Sequence, residues 1–476
     1  MKMLILGIDG LGWQGLEAFG LSRLKARLSK GVIGTPAVEN IISRGWCEMY
    51  AGADCYSTGA FFQVPVKRGR RVVPSQATGA SRVADHIGNE SMLWHRLNAL
   101  GLSVGLFTVP TVTKPFELDG FVVAGTGGGS FGGGLGASSV FPADLFRHRK
   151  AAGADLGFRY GYGAFQPASI EELELGANAH LALFFHEVRA ALASRPVDVA
   201  WIGTRFITEL GYKFFRLVQS TPTNEEEAAL KELVLSLAGL FDELLDSLVE
   251  EIGADALFVV SDHGLGVFTH RINLNQALVE LGELQIDPLR TNVRKLHHTW
   301  RTLRTRRPIN PEVGVSYNFA SSKAFSIGYT NTIYVNDARF FGPSMSDTER
   351  AGRAATLANK LNTHCNGLPG MEKVRFEPTG LAAWTGATEA VRLPQPDIRA
   401  VFPNGLANLG EGNVVSSLNE TPFDKAMFVR GVPGEYSGIK TDDTLSGYIG
   451  PFSELVNQNK MTELYGSILA VAESLS

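Results

Sequence analysis

The sequence predicts an α/β fold with a doubly wound, mostly parallel sheet, helices on both faces and a small helical cap insertion. Short apolar runs alternate along the chain with segments that have apolar residues at helical spacing, as in repeated βα units. The unbroken apolar run from Ala256 to Val260 follows a long amphipathic helix predicted over Glu225–Ile252. Such a run is typical of a buried central strand of a parallel sheet.

The other elements follow from apolar spacing and from the residues that end them. Gly101 closes one helix, Pro110 stops the next strand, and Gly253 follows the long helix, which Thr223 or Asn224 caps. The predicted elements in chain order are strand Met3–Ile8, helix Leu16–Leu28, helix Ser91–Leu100, strand Leu102–Val109, helix Ala177–Ala193, strand Val197–Ile202, helix Leu274–Leu281, strand Thr332–Asn336, helix Ser346–Asn362 and strands around Ile398–Phe402 and Ala426–Arg430. We expect an α/β core over 1–284 and 316–476 and a basic helical cap over 285–315.

Composition limits the classes of protein to which the chain can belong. Its 476 residues are 44% hydrophobic and 19% charged, which is ordinary for a globular protein. The net charge of −4 favours neither nucleic acid nor an anionic membrane as a partner. Three widely spaced cysteines indicate a reducing compartment, and the apolar N-terminal run, which ends at Asp9, is too short for a signal peptide. We expect a cytoplasmic protein without a membrane span.

Asp262 and His263 directly follow the predicted central strand. Ligand-binding groups of open α/β sheets gather at the carboxyl ends of strands, and an adjacent carboxylate and imidazole suit a divalent metal. The alternative is a helix N-cap aspartate followed by a surface histidine.

Two further stretches have unusual composition. Residues 289–307 form a basic amphipathic segment, which we interpret as a solvated cap helix or, alternatively, as a clamp for an anionic ligand. The eight glycines of 125–136 could mark a phosphate loop, but the segment lacks the Lys-Ser/Thr of such a loop. A surface loop is the favoured interpretation.

A series of short motifs, in a shared order over more than 400 residues, resembles the alkaline phosphatase superfamily in its type I phosphodiesterase/nucleotide pyrophosphatase branch. The motifs are Leu4-Ile-Leu-Gly-Ile-Asp-Gly10, Trp46 with Ala51-Gly52 and Gly59-Ala-Phe61, Trp94-His-Arg-Leu97, Val109-Pro-Thr-Val-Thr-Lys-Pro115, Gly120-Phe-Val-Val-Ala-Gly125, Ser261-Asp-His-Gly264, Asn273-Leu-Asn275, Ile333-Tyr-Val-Asn336 and Gln395-Pro-Asp-Ile398.

The resemblance implies two divalent metals, of which this chain keeps the ligands for one. The retained ligand set is Asp9, Asp262 and His263. The positions that correspond to the second set hold Thr208, Tyr212 and Pro422, and a further expected histidine is replaced by Thr58. We therefore expect one divalent ion, zinc, manganese or magnesium, although a metal-free hydrogen-bonded cluster is an alternative.

The resemblance places the nucleophile at Ile42, which has no nucleophilic atom. Ser43 lies one residue away and is the candidate, with a role as a simple helix N-cap as the alternative. Arg205, near Thr208 and Tyr212, could supply a fixed positive charge for the substrate, or could be a surface residue that follows a strand. We take Arg205, Thr208 and Tyr212 as candidate substrate-binding residues.

Two functions follow from this pattern. The first is a one-metal hydrolase or transferase that acts on a phosphate, phosphodiester or sulfate-type ester, with specialised metabolism as one setting. The second is a pseudoenzyme that binds a ligand or partner without turnover. Both predict a small anionic ester as the partner, and neither involves nucleic acid or a membrane. The oligomeric state does not follow from the sequence.

Overall fold

The structure is a computed structural model that describes residues 1–38, 45–61, 63–76, 79–124, 139–146, 167–305, 315–328, 330–385, 392–403, 405–408, 413–418, 428 and 437–476. The chain divides into two compact units. Unit 1 comprises Met1–Ala60, Thr78–Phe268 and Glu420–Ser476, and unit 2 comprises Phe61–Ala77 and Thr269–Asn419. The boundaries 1–284, 285–315 and 316–476 stay a prediction. The glycine-rich segment 125–136 and most of the strand expected at 426–430 lie outside the described residues.

The helices of the described residues are α1 (Trp13–Ala18), α2 (Ser22–Leu28), α3 (Gly45–Ala51), α4 (Cys55–Thr58), α5 (Ala80–Ile87), α6 (Leu93–Ala99), α7 (Ile170–Ser194), α8 (Phe206–Gln219), α9 (Glu225–Ile252), α10 (Leu274–Glu280), α11 (Pro288–Thr305), α12 (Asp347–Asn366) and α13 (Met461–Leu475). Within this part of the chain, none has the length and apolar content needed to cross a bilayer.

The strands are β1 (Met3–Ile8), β2 (Val32–Gly34), β3 (Gln63–Arg68), β4 (Arg71–Gln76), β5 (Val104–Phe107), β6 (Gly120–Val123), β7 (Val140–Phe141), β8 (Val199–Thr204), β9 (Ala256–Ser261), β10 (Gly264–Val267), β11 (His270–Ile272), β12 (Ala324–Ser326), β13 (Thr332–Val335), β14 (Arg375–Pro378), β15 (Trp384–Thr385), β16 (Leu393–Pro394), β17 (Ile398–Val401), β18 (Leu406–Asn408), β19 (Val415–Ser417), β20 (Gly438–Thr441) and β21 (Leu445–Ile449).

Unit 1 contains an eight-stranded sheet in the order β2-β21-β9-β1-β8-β5-β6-β7. The five strands β9, β1, β8, β5 and β6 are parallel, and β21 and β7 run antiparallel to them on either side. The edge strand β2 pairs antiparallel with β21. The predicted central strand, β9, pairs with β1, with Ile5 opposite Phe258. The mostly parallel α/β sheet is therefore confirmed.

Both faces of this sheet are covered, as the predicted fold class requires. Along β1, Leu4 and Leu6 face a core that also contains buried residues of α7, α8 and α9. Met3 and Ile5 face the opposite core, with buried residues of α3, α6 and α13. This alternation is the period of two that a strand imposes on its side chains.

The long helix α9 has the predicted bounds. The Asn224 side chain accepts a hydrogen bond from the Glu227 amide at 2.9 Å, and Gly253 ends the helix with a φ of 57°. The single helix predicted over Leu16–Leu28 is wrong, because the structure has two helices, α1 and α2, separated at Gly20, whose φ is 66°.

Unit 2 contains a four-stranded sheet in the order β12-β13-β17-β14, with neighbours antiparallel. Its core gathers apolar residues of α10, α12 and these strands. A buried ion-pair network lies beside this core: Asp397 accepts from Arg339 at 2.7 Å and also pairs with Arg350. Helix α11, within the predicted basic segment, belongs to this unit.

Candidate functional site

The side chains of Asp9, Asp262 and His263 lie together at the carboxyl edge of the sheet in unit 1. Asp9 follows β1, and Asp262 and His263 follow β9, which is the parallel neighbour of β1. One ligand atom from each residue lies within 4.8 Å of the others, and all three residues are buried. The three residues expected to bind a metal thus converge, and the alternative of a surface histidine is wrong.

The His263 ring is held in one orientation. Its Nδ1 lies 2.7 Å from the carbonyl oxygen of Gly264, which can only accept, so Nδ1 carries the proton. The other nitrogen, Nε2, faces the carboxylates, at 3.6 Å from Asp9 Oδ1 and 3.7 Å from Asp262 Oδ1. Nε2 is therefore the ring nitrogen that faces the cluster.

Two buried atoms of the cluster have no hydrogen-bond partner among the described residues. They are Nε2 of His263 and Oδ2 of Asp262. Buried polar atoms are normally hydrogen-bonded, and two carboxylates with an imidazole form a donor set for zinc, manganese or magnesium. The residues present therefore fit a divalent cation.

Asp9 is fixed by neighbours that belong to other elements. Trp46 in α3 donates from Nε1 to Asp9 Oδ2 at 3.0 Å. The Thr208 hydroxyl in α8 lies 3.1 Å from Asp9 Oδ1 and also donates to the Asp9 backbone carbonyl. Hydrogen bonds of this kind orient a carboxylate that ligates a metal. Thr208 thus contacts a predicted metal ligand.

Gly10 allows the chain to pass close behind the cluster. Its φ is 70°, and its amide nitrogen donates to Asp262 Oδ1 at 3.4 Å. A Cβ at this position would lie 2.2 Å from the Thr208 hydroxyl oxygen and 2.9 Å from a ring carbon of His263. Both the backbone conformation and the close packing require glycine here.

Burial and the charge of the neighbouring Asp9 raise the pKa of the Asp262 carboxyl to about 6. Burial acts in the same direction on Asp9, but the charge of Arg205 and the contact with His263 outweigh it. They hold the pKa of Asp9 well below its usual range. The pKa values of the two carboxyl groups thus differ widely, as expected for close carboxylates without a cation between them.

Two cations balance this negative charge. Arg205 is only 14% exposed and lies with Nε 3.9 Å from Asp9 Oδ1, while its Nη2 pairs with Glu209 at 2.9 Å. Although burial opposes its charge, Asp9 and Glu209 raise the pKa of Arg205 above its usual value. The half-buried Lys440 in β20 acts electrostatically on both carboxylates, although burial lowers the pKa of Lys440. The interpretation of Arg205 as a surface residue is wrong.

The positions of the expected second metal set carry no such ligand group. Thr208 contacts Asp9, and Tyr212 lies one turn further along α8, where burial raises the pKa of its phenol well above the usual value. Among the described residues, Asp9, Asp262 and His263 form the one group of three acidic, histidine or cysteine side chains close enough for a metal. Thr58 is the last residue of α4, and its hydroxyl donates to the Asp54 carbonyl oxygen at 3.0 Å. Ser43 and Pro422 lie outside the described residues.

Sequence reasoning missed the roles of Trp46, Gly10 and Lys440. Trp46 and Gly10 are part of motifs that indicate the family, but nothing in the motifs shows which atoms they contact. Lys440 is one of 44 lysines and arginines, and no spacing distinguishes it. Its position depends on the pairing of β20 with β10, the strand that follows His263.

Comparison with known proteins yields structural likeness at low sequence identity. No protein-family model and no curated protein sequence matches the chain. The structure of murine ectonucleotide pyrophosphatase/phosphodiesterase 5 is 12% identical, with 99% of this chain and 95% of that chain covered and a TM-score of 0.46. Phosphonoacetate hydrolase from Sinorhizobium meliloti 1021, in complex with phosphonoformate, is 14% identical, with 99% and 96% covered and a TM-score of 0.49.

Proposed function

We propose that the protein is a one-metal hydrolase or transferase that acts on a phosphate, phosphodiester or sulfate-type ester. The observation that supports this proposal is the buried convergence of Asp9, Asp262 and His263, with two ligand atoms free of hydrogen bonds within the described residues. Packing alone does not require such a trio, because an uncompensated pair of buried carboxylates is unfavourable.

Different residues of the site would bind the metal, orient its ligands and attack the substrate. Asp9, Asp262 and His263 would hold one divalent cation, which when bound supplies a positive charge that polarises an ester oxygen. Trp46 and Thr208 keep Asp9 in the orientation for this role. Ser43 stays the candidate nucleophile.

Recognition of an anionic ester rests on fixed positive charge. Arg205 is held by Glu209 and presents a buried guanidinium group beside Asp9. Such a planar group suits the paired oxygens of phosphate or sulfate. Lys440 adds a second positive charge whose influence reaches the same carboxylates. These two residues, rather than a second metal ion, would stabilise the negative charge of the substrate.

One observation favours the alternative of a ligand-binding scaffold without turnover. Both side-chain oxygens of Asp9 already have polar neighbours: Trp46 donates to Oδ2, and the Thr208 hydroxyl lies 3.1 Å from Oδ1. Arg205 also lies nearby. A cluster that is neutralised in this way can persist as a metal-free structural unit. In that case the protein would bind a ligand or partner without catalysing a reaction.

Metal content and turnover distinguish these functions. Elemental analysis of protein purified without chelator should give one equivalent of zinc, manganese or magnesium, and Asp262→Asn should lose it. Asp242→Asn is the matched control, because Asp242 is a buried carboxylate of α9 that accepts amide hydrogen bonds from α2, and this variant should keep the metal.

A panel of aryl phosphate, phosphodiester and sulfate esters then tests turnover. One equivalent of metal with metal-dependent turnover supports the enzyme. The absence of turnover on every ester class, with or without bound metal, favours the scaffold. Two equivalents, or none after saturation with all three metals, would contradict the one-metal site.

A further inference from the structure

Helix α11 (Pro288–Thr305) is attached to unit 2 through its first turn. The Asp287 carboxylate accepts from the Arg290 amide at 3.0 Å, and the Thr291 hydroxyl accepts from the Ser316 amide at 3.1 Å. Thr291 is buried, whereas every described side chain from Asn292 to Trp300 is exposed. The body of the helix therefore stands in solvent on all of its described sides.

One side of this exposed helix is apolar. Leu289 is 80% exposed, Val293 65%, Leu296 71% and Trp300 55%. Their spacing of four, three and four residues places them on one face, which we call the apolar stripe. Helices in proteins owe most of their stability to the packing of such a face, and contiguous exposed apolar surface marks an interaction site.

Beyond Asp287, which pairs with Arg290 at the start of the helix, the charge around the apolar stripe is positive. Residues 288–311 contain six arginines and one lysine and no aspartate or glutamate. The chain as a whole has a net charge of −4, so this positively charged segment differs in sign from the chain as a whole. Its partner must be negatively charged and must also accept apolar side chains.

These two requirements distinguish a second copy of the helix, a nucleic acid and an anionic lipid surface as partners. A second copy of the helix carries the same positive charge and offers no acidic residue to pair with it. A nucleic acid is negatively charged but would leave the apolar stripe in water. An anionic lipid surface meets both requirements, since its headgroups attract arginine and lysine while its acyl boundary takes up leucine, valine and tryptophan.

We propose that α11 docks the protein on an anionic lipid surface, with the apolar stripe inserted at the boundary between headgroups and acyl chains. The basic residues on the flanks of the stripe contact the headgroups. This inference concerns a surface of unit 2 and is independent of the metal site. It replaces the expectation of no membrane partner, which rested on the net charge of the whole chain.

Co-sedimentation of the full chain with lipid vesicles tests the proposal. Vesicles of phosphatidylcholine with added phosphatidylglycerol should bind the protein, and vesicles of phosphatidylcholine alone should bind it far less. Binding should weaken as salt is added, because salt screens the attraction. Absence of binding to the phosphatidylglycerol vesicles, or equal binding to both kinds, would overturn the proposal.

Variants of the apolar stripe test which surface is used. Val293→Gln with Leu296→Gln should lower the partition coefficient roughly tenfold or more. The matched control is Leu175→Gln, because Leu175 in α7 has the same 71% exposure as Leu296 and should leave binding unchanged. Circular dichroism checks that each variant folds. If both variants bind as the wild type does, the apolar stripe is not the docking surface.

Charge variants test the requirement for a negatively charged partner. Replacement of Arg290, Arg294 and Lys295 by Gln should lower binding on the order of 100-fold. The control replaces the exposed Arg23, Lys25 and Lys30 of unit 1, which changes the net charge by the same amount. An equal loss in both triple variants would overturn the assignment to α11. The proposal would also be overturned if the wild type did not bind the vesicles but formed a dimer that the apolar-stripe variant abolished. The apolar stripe would then be a self-association surface.

Discussion

The buried Asp262 carboxyl should make the metal-free protein less stable as the pH rises. Burial and the charge of Asp9 raise the pKa of Asp262 from 3.8 to about 6. In the unfolded chain this carboxyl returns to its ordinary value, so between the two values the folded protein binds more protons than the unfolded chain. The free energy of unfolding therefore falls through this window.

The size of the change in the free energy of unfolding follows from the shift in the pKa of Asp262. A change of roughly two pKa units corresponds to about 3 kcal/mol, since one unit is worth about 1.4 kcal/mol. At pH 3.8 and below, the wild type keeps this contribution because Asp262 is protonated in the folded state. Above a pH of about 6 the contribution is lost. The Asp262→Asn variant has no such dependence, so the wild type should lose about 3 kcal/mol relative to it.

Urea unfolding in the presence of chelator measures this difference at a series of pH values. Tryptophan fluorescence reports mainly on unit 1, because four of the six tryptophans, Trp13, Trp46, Trp94 and Trp201, lie there. Addition of a divalent cation at neutral pH should restore the wild type and leave the variant unchanged. A difference that stays constant, or that turns in favour of the wild type as the pH rises, would refute a raised pKa for Asp262.

Three further predictions concern hydrogen bonding, ion pairing and ligand linkage. Trp46→Phe should lower the free energy of unfolding in urea by about 1.5–3 kcal/mol more than Trp201→Phe does. Both substitutions remove the same indole ring atoms, but only the Trp46 Nε1 donates to a carboxylate, whereas the Trp201 Nε1 has no partner among the described residues. Equal losses would contradict the role of the Trp46 hydrogen bond. Asp397→Ala should destabilise unit 2 by about 3–5 kcal/mol, because Arg339 and Arg350 would lose their shared buried carboxylate. Little change on differential scanning calorimetry would show that the network is replaceable. Orthophosphate should tighten the binding of the divalent cation, measured by calorimetric titration, and the cation should tighten phosphate binding by the same factor. Independent binding of the two ligands would contradict a shared site.

The fold class and the position of Asp262 and His263 could be predicted from local patterns, whereas Asp9 is identified as a candidate ligand through the family resemblance. An apolar run that ends in a polar residue marks the carboxyl end of a buried strand, and parallel strands bring these ends to one edge of the sheet. Asp9 and Asp262 satisfy this pattern, and the pairing of β1 with β9 places them side by side. Once the strand order places β1 beside β9, the adjacency of Asp9 and Asp262 follows.

The surroundings of the ligands could not be predicted in the same way. Arg205 follows a strand, which is also where surface residues occur, and its contact with Asp9 depends on the pairing of that strand with β1. Trp46 reaches Asp9 from a helix 37 residues further along the chain. Such contacts depend on how helices pack on the sheet, which the spacing of apolar residues does not determine.

The charges around the cluster show why one cation would suit an anionic ester. With both cluster carboxylates ionised, Asp9, Asp262 and Glu209 carry one more charge than Arg205 and Lys440 neutralise, so the metal-free site repels an anion. A divalent cation would reverse the net sign and make the site attractive for phosphate or sulfate. A second cation would add positive charge where Arg205 already lies beside Asp9. The arginine can therefore take over the electrostatic part of a second metal, although it offers no site at which a water molecule or hydroxyl group could be activated.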